Sequence, residues 1–175
     1  MNDLGKRSSF ARNPRDYYVT SRPAVIPLVP HLEKDFIFCE PFAGNGALID
    51  HLESFGGKCL MKSDIEPQRS DIPMVDFFDI EQFPFPVISN PPWDRAILHP
   101  IIDKLLEEKN HFWLLFDADW AHTKQSREYM PFCQKIVSVG RVKWIPESKM
   151  TGKDNCCWYQ FSPEKRYSTE FFGRI

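Results

Sequence analysis

The sequence predicts a single-domain α/β protein built on a doubly wound, mostly parallel, seven-stranded sheet with an antiparallel edge strand. Three observations predict it. Short apolar runs alternate with amphipathic stretches across residues 16–163, the pattern of strands joined by crossover helices. A glycine-bearing turn, Glu40-Pro41-Phe42-Ala43-Gly44-Asn45-Gly46, follows the first of those runs directly. A second, stiffer turn, Asn90-Pro91-Pro92-Trp93, follows a later one. In open sheets of this class ligands bind outside the carboxyl ends of the strands, where both turns fall.

Taken in order, residues 1–15 are polar, basic and aperiodic, so they read as a flexible arm. An entry segment follows, with Thr20 or Ser21 placed to cap a short helix that has Pro23 in its first turn. Pro27 and Pro30 keep that helix short. Residues 35–40 form the first strand. The helix after the glycine turn buries Leu48, Ile49, Leu52 and Phe55 and stops at Gly56-Gly57. Further strands are expected at 58–63, 74–78, 85–89, 111–116, 135–139 and 156–161. A helix over 94–109 carries Ile97, Ile101, Ile102, Leu105 and Leu106 at helical spacing, and Pro100 interrupts it. A polar helix is expected over 123–132. The last two strands enclose a basic loop, residues 141–155, and residues 164–175 read as a loose tail.

Composition narrows the function classes. With 175 residues, 42% hydrophobic and 26% charged, the chain has the make-up of an ordinary soluble domain with a substantial core. No apolar run approaches the ~20 residues that span a bilayer, and no signal-peptide segment follows the N-terminus. Five cysteines without CxxC spacing argue against a zinc site or a disulfide framework and suit a reducing cytoplasm. The net charge of −2 hides two basic stretches. Residues 1–22 carry five cations against two carboxylates. Arg141, Lys143, Lys149 and Lys153 stand against Glu147 alone. Basic ends around an acidic body suit a nucleic-acid partner, or are simply two solvated surface segments.

The turns carry the chemistry. Each proline of Asn90-Pro91-Pro92-Trp93 fixes φ near −65° and lacks an N–H, and Pro91 pushes Asn90 toward an extended conformation. The Asn90 side-chain oxygen and the Pro91 carbonyl can then accept both hydrogens of a planar amino group, with Trp93 stacked on the plane that bears it. The same four residues also read as a proline-rich turn with a buried Trp. In the first turn, Gly44 and Gly46 permit positive φ and close approach to a ligand. The third glycine of a dinucleotide fingerprint is missing, as is Gly-Lys-Ser/Thr, so a phosphate cradle is not indicated. Glu40 repels pyrophosphate and attracts an ammonium group. Asp64, at the end of the second strand, can accept from a ribose diol, and Asp76 from an adenine amino group. A ligand with ammonium, ribose and adenine and no phosphate is S-adenosylmethionine.

Glu40-Pro-Phe-Ala-Gly-Asn-Gly46 followed by Asn90-Pro-Pro-Trp93 resembles the paired signature of the class I S-adenosylmethionine-dependent amino-methyltransferases. In particular it resembles the adenine-N6 DNA methyltransferases of the small phage and prophage type. Tyr18-Val-Thr20 is similar to the entry motif of that family, which continues with Pro where Ser21 stands here. Trp93 replaces the more usual Tyr or Phe. The resemblance spans roughly residues 16–161.

The resemblance implies a Rossmann-like methyltransferase fold with S-adenosylmethionine as cofactor, and DNA adenine as the acceptor. It implies that Pro41, Phe42, Gly44 and Gly46 shape the methionine pocket, with Tyr18 and Thr20 near the carboxylate. Asp64 with Ile65 would bind the ribose and cover the adenine; Asp76 and Phe77 would hold the adenine edge. Asn90, Pro91, Pro92 and Trp93 would hold the target base. By their charge, Arg141, Lys143, Lys149 and Lys153 fit phosphate contact, or a solvated basic loop. No metal is required, because the sulfonium supplies the electrophile. RNA adenine and a protein glutamine amide present the same flat NH₂ and remain alternatives, as does a catalytically silent cofactor-binding subunit. Trp120 and Trp144 read as core residues before stacking partners.

Overall fold

A computed structural model describes residues 18–144 and 151–175. Seven strands form one sheet: β1 Ile37–Glu40, β2 Lys58–Lys62, β3 Val87–Ser89, β4 Phe112–Asp117, β5 Cys133–Arg141, β6 Asn155–Phe161 and β7 Glu170–Phe172. Their spatial order is β2-β1-β3-β4-β6-β5-β7. β2, β1, β3 and β4 run parallel. β6 runs antiparallel to β4 and β5, and β7 lies parallel to β5 outside it. The expected α/β architecture, with its antiparallel pair beyond β4, is the observed one.

Helices cover both faces. α1 Arg22–Val25 and α2 Ala47–Ser54 pack one side, where Val25, Leu28, Leu48, Ile49 and Leu52 meet Phe38, Ile88, Trp113, Leu115 and Trp158. α3 Arg95–Glu107 packs the other, where Leu98, Ile101, Ile102 and Leu105 meet Val87, Leu114, Phe116 and Tyr159. Burial on both faces explains why β3 and β4 read as unbroken apolar runs. Asp94 caps α3 by accepting from the Ala96 amide at 3.0 Å, and Pro100 sits inside that helix. Trp120 is a core residue, as expected. Among the described residues no helix is long and apolar enough to cross a membrane.

Three expected elements differ. Residues 74–78 do not form a strand. Only an isolated bridge joins Met74 to Asp64, and Phe77–Asp79 make a 3₁₀ turn. The Asp76 carboxylate accepts from the Phe78 amide at 2.9 Å and turns the chain out of the extended state. Met74 is 74% exposed, and Phe77, 3% exposed, enters the core from the 3₁₀ turn and not from a strand face. Residues 123–132 form 3₁₀ turns in place of a helix. Ser126 Oγ donates to the Ala121 and Thr123 carbonyls, and such side-chain bonds compete with a regular ladder. The tail closes the sheet as β7, where Phe172 packs edge-on to His31 at 4.3 Å. The basic arm, residues 1–15, lies outside the described residues.

The order of the strands locates the site. The chain leaves β1 toward β2 on one side and leaves β3 toward β4 on the other. β1 and β3 are neighbours, so a crevice opens above their carboxyl ends. The glycine turn follows β1, and Asn90 follows β3.

Candidate active site

The crevice holds a cavity of about 570 Å³, within the range of small-molecule sites. Its lining includes Tyr18 and Thr20 from the entry segment, Glu40, Pro41, Phe42 and Gly44 after β1, and Asp64 and Ile65 after β2. Asp76, Phe77, Asn90 and Pro92 complete the expected set. Residues separated by up to seventy-odd positions thus meet around one space. Of the described lining residues, four are carboxylates (Glu40, Asp64, Glu66 and Asp76), and none is Lys, Arg or His.

Local chemistry places each group. Glu40 is 1% exposed at the end of β1. Its Oε1 accepts from the Phe42 amide at 2.9 Å and from Ser89 Oγ at 2.5 Å, tying the end of β1 to the end of β3. Burial pushes its carboxyl up to about 8, against the opposing effect of those two donors. Gly44 has φ 53° and its amide donates to Asp64 Oδ2 at 2.8 Å. Asp64 Oδ1 accepts from the Glu66 amide at 2.7 Å. The glycine turn is thereby clamped to the loop after β2. Phe42 stacks on Phe77 at 5.1 Å to form an aromatic wall.

Asn90 is held from three sides. Its Nδ2 donates to Thr20 Oγ1 at 3.1 Å and to the Tyr18 carbonyl at 3.4 Å. Its Oδ1 accepts from Trp93 Nε1 at 3.1 Å. Thr20 is therefore engaged by Asn90, and it is Ser21 that precedes α1, without a side-chain capping bond. The strand that delivers Asn90 is set by Asn110, whose Nδ2 donates to the Phe83 and Phe85 carbonyls while its Oδ1 accepts from the Val87 amide.

Some expected residues stand elsewhere. Gly46 does not line the cavity. It has φ 79°, and a Cβ there would lie 2.3 Å from the Arg69 guanidinium, which pairs with Asp50 and Asp71. Its small size serves that packing. Pro91 is buried beside the cavity, outside its lining. Trp93 is also outside the lining and packs between the two cores. Arg141, Lys143 and Lys153 are exposed and do not line the cavity; Lys149 lies outside the described residues. Arg141, Lys143 and Lys153 stand at the carboxyl edge of the sheet, because Asn155 opens β6 opposite Arg141 at the end of β5. Trp144, at the base of that loop, stands edge-on to Trp93 at 5.4 Å and 6.0 Å from Tyr18.

Sequence reasoning missed Ser89, Phe78, Ile97 and Gln68, which support or line the site. Ser89 carried one usable signal, a hydroxyl at a buried strand end one residue before Asn90. The others enter from loops and a helix start that give no periodic cue.

No family model and no curated protein matches the sequence. Solved structures do match. The fold is shared with methyltransferases. A structure from Pyrococcus horikoshii described as a candidate RNA methyltransferase superposes with a TM-score of 0.59 at 18% identity, over 92% of this chain and 94% of that one. The 23S rRNA methyltransferase ErmE superposes with a TM-score of 0.54 at 17% identity, over 85% of this chain and 71% of that one. At these identities the likeness is one of fold.

The Glu40 carboxyl makes a prediction about pH. Its folded-state pKa of about 8 lies above the ordinary 4.5, so the folded protein keeps a proton that the unfolded chain releases. The stability this contributes is fully present below about pH 4.5 and is lost as pH rises through about 8, by at most about 1.4 kcal/mol per pH unit. Glu40→Gln keeps the acceptor for Ser89 and the Phe42 amide without the ionisation. Thermal denaturation from pH 5 to 9 is expected to show the variant gaining on wild type as pH rises. Parallel curves would show that Glu40 does not titrate in this window.

Proposed function

We infer that the protein is an S-adenosylmethionine-dependent amino-methyltransferase acting on the N6 amino group of adenine in nucleic acid, with DNA as the first candidate. One observation carries the reading: Asn90, at the end of β3, faces a cavity lined by four carboxylates and no described cation. That lining disfavours the phosphates of NAD or ATP and suits a ligand bearing an ammonium group, a ribose and an adenine. The residues present fit such a cofactor. Glu40 would face the ammonium, Asp64 the ribose and Asp76 the adenine amino group. A carboxylate oxygen has two lone pairs, so Asp64 can keep the Gly44 amide while accepting from a hydroxyl.

When bound, S-adenosylmethionine supplies an electrophilic methyl group. The chain's own residues prepare the nucleophile. The free lone pair of Asn90 Oδ1 would accept one amino hydrogen and the Pro91 carbonyl, beside the cavity, the other, drawing them out of the conjugated plane. The nitrogen lone pair would then be directed at the methyl carbon; the N–C bond would form as the C–S bond breaks, leaving S-adenosylhomocysteine, and the amino proton would depart to solvent. Catalysis is positioning and electrostatics. In duplex DNA the base must first leave the stack. Arg141, Lys143 and Lys153 on the same edge would meet phosphates. RNA is the second reading, because both fold neighbours are named for RNA.

Labelled S-adenosylmethionine offered with DNA, RNA and protein in parallel is expected to label adenine in DNA. Label in RNA alone would move the acceptor, and label in glutamine would remove nucleic acid from the reading. No label anywhere, with cofactor bound, would leave a silent subunit. Calorimetry is expected to show binding of S-adenosylhomocysteine, and Gly44→Trp is expected to abolish it by filling the cavity. At pH 7 that binding should release a proton, as the ligand ammonium ionises Glu40. Heats that do not change between buffers of different ionisation enthalpy would contradict this placement of the ammonium.

A further inference from the structure

Two hydrogen-bond directions decide how the Asn90 carboxamide faces. Turning it by half a rotation would set its NH₂ against the Trp93 indole N–H, donor to donor. It would also set its oxygen against the Tyr18 carbonyl, acceptor to acceptor. An indole nitrogen only donates, so Trp93 admits one orientation.

The indole is itself fixed. Its single Nε1–H is shared in a three-centre bond: it also points at the Leu115 carbonyl of β4 at 3.0 Å, and Leu115 is fully buried. The ring stands at 87° to Trp144 and packs against both hydrophobic clusters. A donor anchored to the sheet therefore reaches Asn90 at 3.1 Å. Phe at this position has no donor, and Tyr carries its donor at the far end of the ring.

We propose that Trp93 is a positioning residue: its indole N–H locks the Asn90 side-chain oxygen so that the second lone pair of that oxygen faces the acceptor amine. This rests on the reading of Asn90 as the group that accepts from the amine, and it replaces the stacking role expected from the sequence. The indole N–H, and not the ring face, is then what activity requires.

Two variants separate the roles. Trp93→Phe removes the N–H and keeps an aromatic face. Incorporating benzothienylalanine at position 93 keeps the bicyclic shape and replaces the N–H with sulfur. Both are expected to lower kcat about tenfold, the worth of one hydrogen bond, with S-adenosylhomocysteine affinity unchanged. A stacking role predicts that the isostere keeps full activity, and that result overturns the proposal. A second measurement needs no turnover. Hydrogen exchange by NMR is expected to show the Trp93 indole proton strongly protected in the free protein, and the Asn90 side-chain amide resonances shifted in Trp93→Phe. An indole proton exchanging at the solvent-exposed rate also overturns it. If wild type transfers no methyl group to any acceptor, the functional reading fails by itself, and the exchange data still decide the Trp93–Asn90 contact.

Discussion

Asn90→Ala is expected to cut methyl transfer by about 10²–10³-fold, the usual cost of removing one preorganised hydrogen-bonding group aimed at the reacting centre. The loss should appear in kcat, because in the proposed function the Asn90 oxygen would act on the amine as it becomes tetrahedral. S-adenosylhomocysteine should still bind within about tenfold of wild type, since the substitution removes single hydrogen bonds to Thr20 and Tyr18 at the cavity wall. Single-turnover kinetics with saturating cofactor measure the first effect and calorimetry the second. Undiminished turnover would remove Asn90 from the mechanism. Lost cofactor binding would instead show that Asn90 builds the cavity.

The largest expected effect on stability is at Trp158. This β6 side chain is fully buried, and its Nε1 donates to the Ala24 carbonyl of α1 at 2.8 Å. Trp158→Ala combines a large cavity with the loss of the hydrogen bond to the Ala24 carbonyl. The expected loss is about 3–5 kcal/mol from the cavity and about 1–3 kcal/mol from the carbonyl, a large part of the ~5–15 kcal/mol available to a domain. Trp158→Phe fills most of the space and should lose about 1–3 kcal/mol, chiefly from the missing donor. Urea unfolding checks both, and a Trp158→Ala midpoint close to wild type would refute the argument. α1 follows the Tyr18–Thr20 segment that holds Asn90, so the milder variant should also loosen the Asn90 amide in NMR exchange.

Much of the candidate site was legible because its chemistry is local. Gly44 announces a positive φ through its missing Cβ, and the two prolines fix the backbone after Asn90. Carboxylates at strand ends identify themselves by following apolar runs, so Glu40 and Asp64 were readable before any contact was known. The alternation of strands and helices likewise follows from periodicities of a few residues, and the order of the two turns places them on one edge of the sheet.

Tertiary structure alone decided the partners. Ser89 meets Glu40 across 49 residues, and Trp158 meets Ala24 across 134. The Trp93 indole N–H is shared between Asn90 Oδ1, three residues back, and the Leu115 carbonyl, 22 residues on. Gly46 reads as a cofactor glycine until the Arg69 guanidinium is found against it. Residues 74–78 look like a strand, but the Asp76 carboxylate accepts from the Phe78 amide and turns them, and Phe77 enters the core from that turn. Glu170–Phe172 look like a tail until β5 offers an open edge. The dividing line is physical: backbone preference and polar periodicity act within a few residues. Which donor meets which acceptor depends on strand order, and that is settled by burial summed over the whole sheet.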